Sequence, residues 1–142
     1  MGLLYAMMIP VMKPQKKNTL TIRIGKSIPE VFAFLLDPVN SPKWVDGFIK
    51  EETSEWPVRE GTVYRNLNKD GAWNEYTVTS FEHNKTFIMK MKDGNYHVQY
   101  TLASVSEAET ELECIEWVIR GTLPAPFTEE TLLKLKTILE QA

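Results

Sequence analysis

The chain has 142 residues, 43% of them hydrophobic and 25% charged, with 16 basic against 19 acidic side chains. That is one domain of ordinary globular composition, long enough to bury about 68–70% of its unfolded surface. The net charge of −3 argues against an electrostatic nucleic-acid binder, which needs a basic face, and the single cysteine, Cys114, excludes an intramolecular disulfide; a reducing, cytoplasmic setting is expected.

The opening run "MGLLYAMMIPVM" carries no charged side chain. It lacks the basic start of a secretory signal and falls short of the ~20 apolar residues that span a bilayer, so no membrane insertion is expected. Residues 1–15 read as an apolar arm or as a start-site extension, since Met7, Met8 and Met12 can each begin a shorter chain. Residues 16–142 read as the domain.

Leu20, Ile22 and Ile24 alternate with Thr19, Thr21 and Arg23, which predicts a strand with one buried face. Ser27 and Glu30 have the spacing of a capping box. Ile28, Val31, Phe32, Leu35 and Leu36 then mark one face of a helix. Asp37, placed before a proline, ends it. Pro42 suits the start of a second short helix with Ser41 as its cap, and Trp44 follows directly.

Six further strands are predicted: "FIKEETSEW", "TVYRNLN", "WNEYTVTSF", "TFIMKMK", "YHVQYTLASV" and "TELECIEWVIRG". Turn signals such as "KDG" and "EHNK" separate them at short intervals, as in an antiparallel meander. A terminal helix is predicted from a cap at Thr128, with Leu132, Leu135 and Leu139 as its buried stripe.

The order strand, two short helices, six strands and a helix resembles the START-like, or SRPBCC, superfamily, within it the polyketide cyclase/dehydrase and lipid-transport group. The segments that carry the resemblance are "SIPEVFAFLLDPVNSPKW", "PVREGTVYRN", "EYTVTSFEHNKTF", "YHVQYTL" and "EETLLKLKTILE". They are patterns of turn and core residues without a catalytic signature, so they speak to fold more than to function. The resemblance implies an α+β helix-grip fold. A curved seven-stranded antiparallel sheet wraps around the C-terminal helix, two short helices close one end, and an apolar cavity lies between sheet and helix. The terminal helix is shorter than is usual in the family, which implies a small cavity or one open at an end.

On that architecture Tyr76, Val78, Met89, Val98, Tyr100 and Leu102 face the cavity, with Trp44 at the cap and Leu132 and Leu135 on the helix. Tyr96, Phe87 and Met91 share the inward faces. All of these side chains can equally serve as core. Arg65 shares a strand face with Val63 and Leu67, and Glu116 shares one with Leu112, Cys114 and Val118. Burying either charge requires a partner, so a snorkelling Arg65 and a strand bulge exposing Glu116 are the competing readings. For a lone monomer, burying Trp117 in place of Glu116 favours the bulge. Regular alternation is the working expectation, because no glycine or proline precedes Gly121 to mark one.

The remaining chemistry is sparse. There is no phosphate loop, nucleophile elbow or spaced Cys/His set, so no metal or cofactor is expected. His83, in a turn, and His97, on a polar strand face, are expected in solvent, and Cys114 as a small buried hydrophobe. The expected function is binding, transport or sensing of a small lipophilic molecule. The first alternative is a cyclase or dehydratase with Glu116 as base, Tyr76 or Tyr100 as proton donor and Arg65 steadying an enolate. The second is a ligand-free interaction module using Ile115, Trp117 and Ile119. The expected partner is a small apolar ligand, without nucleic acid, and a homodimer is a further candidate.

Overall fold

A computed structural model describes residues 14–142; the expectations about an arm at residues 1–15 lie, up to residue 13, outside the described residues. The elements are β1 (Lys17–Ile24), α1 (Ile28–Leu36), α2 (Ser41–Trp44), β2 (Phe48–Thr53), β3 (Val63–Asn68), β4 (Trp73–Glu82), β5 (Thr86–Met91), β6 (Tyr96–Ser106), β7 (Glu109–Val118) and α3 (Glu129–Gln141). The seven strands form one antiparallel sheet in the order β1-β7-β6-β5-β4-β3-β2. The sheet curls into a half-barrel with the helices on its concave side, an α+β helix-grip arrangement. Among the described residues no helix is long and apolar enough to cross a membrane.

The helices follow their local chemistry with small departures. Asp37 takes an extended conformation before Pro38 and closes α1. At its start the Ser27 hydroxyl donates to the Glu30 carboxylate, 2.9 Å away, instead of capping the backbone. In α2 the cap is Asn40, one residue earlier than expected, because the Ser41 hydroxyl is engaged by the carboxylate of Glu51. Thr128 caps α3 as expected, accepting from the Thr131 amide. Leu132, Leu135 and Leu139 bury the inner face of α3, which lies against β1 and α2.

One end of the core is aromatic. Phe32 from α1 meets the rings of Phe81 and Phe87 at 5.7 Å, and the Tyr64 hydroxyl donates to the Leu36 carbonyl at 2.6 Å. Each such buried side chain stabilises the fold by roughly 1.5–3 kcal/mol.

β7 alternates without interruption. Thr110, Leu112, Cys114, Glu116 and Val118 point inward and are buried, while Ile115 and Trp117 stay half-covered on the convex face. The ladders to β1 and β6 run in unbroken register past Glu116, so the exposing bulge does not form. Trp117 is sheltered by His97, whose ring stacks on it at 4.9 Å and 7°. His97 is therefore half-buried, not free in solvent, whereas His83 is exposed. His97→Ala is expected to cost about 1 kcal/mol, a few degrees in a thermal melt. A variant melting with the parent would show that the stack contributes nothing.

Candidate ligand-binding cavity

The half-barrel is not filled. A cavity of about 760 Å³ lies between the concave faces of β2–β7, the short helix α2 and the segment 122–128 that leads into α3. That is within the range of small-molecule sites. Trp44, Tyr76, Tyr96, Tyr100 and Phe127 give its wall an aromatic lining. Trp44 packs against Phe127 at 5.7 Å and edge-on to Tyr100 at 6.4 Å. The rim carries the exposed residues Asp46, Asp93, Thr122 and Glu130, where the cavity meets solvent.

Two carboxylates are set into this wall. Glu116 is 2% exposed and faces no cation among the described residues. Neutral donors hold it instead. The Tyr96 hydroxyl donates to one oxygen at 2.6 Å, and the other accepts from the Phe127 amide at 2.7 Å and from the Asn18 side chain at 3.0 Å. Asn18 also donates to the Phe127 carbonyl at 2.9 Å. One side chain therefore ties β1, β6, β7 and the entry to α3 together. Burial, then the Glu116 charge, pushes the Tyr96 phenol far up, so it serves Glu116 as a neutral donor.

The second carboxylate is Glu51, on β2. A bulge between Phe48 and Lys50 shifts the parity of the strand, so Phe48 and Glu51 both face the cavity. Glu51 pairs across the ladder with Asn66, which also faces inward. It accepts from the Ser41 hydroxyl. Burial raises its carboxyl from the usual 4.5 to about 7, against a smaller downward pull from Ser41 and Asn66. Two buried polar atoms of the wall lack a partner among the described residues, the Trp44 indole nitrogen and the Asn66 side-chain oxygen.

No protein-family model matches the sequence, and no curated protein does. Solved structures do. A START superfamily protein from Mycobacterium smegmatis superposes with a TM-score of 0.64 at 16% identity, over 88% of this chain and 94% of that one. The fold is that of the START-like superfamily. The Aha1 dimer from Colwellia psychrerythraea gives a TM-score of 0.62 at 18% identity, over 87% and 96% of the two chains. Norcoclaurine synthase from Thalictrum flavum, in complex with dopamine and hydroxybenzaldehyde, gives 0.62 at 11% identity, over 89% and 84%.

Around this cavity the expected residues divide into three groups. Trp44, Tyr76, Met89, Val98, Tyr100 and Glu116 line it. Val78, Leu102, Leu132 and Leu135 are buried in the surrounding core and do not reach it. Arg65 is a correction: it lies on the convex face, 3.2 Å from Glu52 and 3.8 Å from Glu75, with its guanidinium over the Trp73 ring at 4.7 Å. The inward face of β3 is that of Tyr64 and Asn66. Turning this face inward buries the Tyr64 ring with its hydroxyl bonded to the Leu36 carbonyl and leaves the arginine hydrated.

Ser41, Glu51, Asn66 and Phe127 are wall residues that sequence reasoning did not single out. Cys114 is buried, and burial pushes its thiol well up, leaving a protonated core group. Among the described residues no three His, Cys, Asp or Glu converge to hold a metal ion.

Proposed function

We propose that this chain binds a small lipophilic molecule in the cavity and acts as its carrier or sensor in the cytoplasm. The observation that carries the proposal is the 760 Å³ cavity, walled by aromatic side chains and open at a polar rim. The START-like neighbours support it, one of them solved with small aromatic molecules bound. The cyclase or dehydratase alternative is weakened by two placements. Arg65 stands on the opposite side of the sheet from Glu116 and Tyr76, and Glu116 has both oxygens engaged.

A neutral fluorescent probe such as N-phenylnaphthylamine should bind with micromolar affinity. Val98→Trp and Met89→Trp each place an indole in the cavity and should weaken binding by about tenfold or more, the cost of overpacking by more than 1 kcal/mol. Circular dichroism should show both variants folded. If a broad panel of apolar probes fails to bind, or if both folded variants bind like the parent, the carrier reading is wrong.

A further inference from the structure

The charge of the cavity is one-sided. Asp46, Glu51, Asp93, Glu116 and Glu130 line it, and among the described residues no lysine, arginine or histidine does. Lys134 reaches Asp46 at the rim, at 3.3 Å, and neutralises that one carboxylate from outside. An anionic ligand would enter without a counter-charge and lose its hydration. A cation would meet acceptors, and aromatic faces that attract it.

The two inner carboxylates differ in what they have left to offer. Glu116 already receives three hydrogen bonds, on both oxygens. Glu51 receives one direct bond, from Ser41, with the Asn66 side chain close enough to pull its carboxyl down as well, and keeps acceptor capacity toward the cavity. Directly across the ladder stands Asn66, 1% exposed, with its side-chain oxygen unpartnered. An orphaned buried acceptor beside an under-used carboxylate is an arrangement suited to a donor with several N–H bonds. A bare hard metal ion would require more oxygen ligands than these.

We infer that the ligand is a small amphiphile bearing a protonated amine, with its ammonium at Glu51 and Asn66 and its apolar body against Trp44, Tyr76 and Tyr100. The inference rests on the carrier reading and deepens it. The Ser41 hydroxyl positions the Glu51 carboxylate from behind. The acidic residues Asp93 and Glu130 at the rim draw a cation toward the mouth.

Three probes of matched shape separate the cases: naphthylethylamine, naphthylethanol and naphthylpropanoate, titrated calorimetrically into the full chain above neutral pH. The amine should bind about tenfold or more tighter than the alcohol, the worth of one charge-assisted hydrogen bond, and the carboxylate should be the weakest. Glu51→Gln should bring the amine to the affinity of the alcohol and leave the alcohol unchanged. Asn66→Leu should erode the same preference. An alcohol or carboxylate that matches the amine in the parent overturns the inference and leaves the carrier reading standing. So does an amine preference that survives Glu51→Gln. Failure of all three, together with the neutral probe, overturns both. The ranking in the parent decides the matter even where a variant misfolds.

Discussion

Glu116→Ala should destabilise the fold by about 3 kcal/mol, and its melting midpoint should fall by roughly 10 °C. Three donors converge on this carboxylate: the Tyr96 hydroxyl, the Asn18 amide and the Phe127 backbone N–H. Truncation takes this acceptor from all three in a part-buried position, Asn18 keeping only its bond to the Phe127 carbonyl, and each stranded donor costs on the order of 1–3 kcal/mol. Two effects limit the sum. Removing the carboxylate also removes its own desolvation cost, and water entering from the cavity can satisfy part of the set. Glu116→Gln should lose less, because it keeps one acceptor while turning an N–H group toward existing donors. A Glu116→Ala variant melting within a degree or two of the parent would mean that the three donors find other partners and that the clasp is dispensable.

Stability should also fall between about pH 4.5 and pH 7 through Glu51. Burial raises this carboxyl to about 7 in the folded chain, from the usual 4.5. Between those values the folded chain holds a proton that the unfolded chain releases, so rising pH favours unfolding. The contribution is complete below about 4.5, is lost as pH climbs through 7, and amounts to at most about 3 kcal/mol. The groups facing Glu51 do not titrate in this window. Burial pushes up the phenols of Tyr64, Tyr76 and Tyr100, and Ser41 and Asn66 are neutral. The surface carboxylates of Glu30, Glu55 and Glu140 are held low by their hydrogen bonds and act with the opposite sign, losing stability as pH falls. The difference between parent and Glu51→Gln therefore isolates the effect. Melts at pH 5 and pH 8 should show the variant gaining on the parent at the higher value, and a constant difference would refute the buried titration.

The strands and the terminal helix were legible because their signals are local. Period-two alternation in β1, β6 and β7, the proline after Asp37 and the cap at Thr128 all act within a few residues. The inward direction of Glu116 was open between regular alternation and an exposing bulge, and β7, with nothing to break its register, keeps the alternation. Arg65 was not, because "VYRNL" offers a plausible apolar face on either parity, and only the Leu36 carbonyl waiting for Tyr64, with Glu52 and Glu75 outside, decides between them. Glu51 was hidden by the bulge that precedes it, which no glycine or proline within the strand announces. The clasp around Glu116 was hidden by distance along the chain, as nothing near Asn18 signals a partner at residue 116. Cavity-lining residues were separable from core residues only in three dimensions: Leu102 and Tyr100 share a strand face, yet only Tyr100 reaches the void.

The placement of β1 has a consequence for the chain as it is made. Among the described residues, its one strand neighbour is β7, with Lys17 opposite Trp117. The strands from β2 to β7 are each paired with the next in sequence, so that sheet can grow hairpin by hairpin as the polypeptide emerges. β1 cannot join it until about a hundred residues more have been synthesised, roughly 5–20 s at ordinary elongation rates. Through that interval its apolar face and its unpaired amides stay available to anything that binds extended chain, a chaperone included. Of the seven described strands, the earliest to be synthesised is the last to find its neighbour.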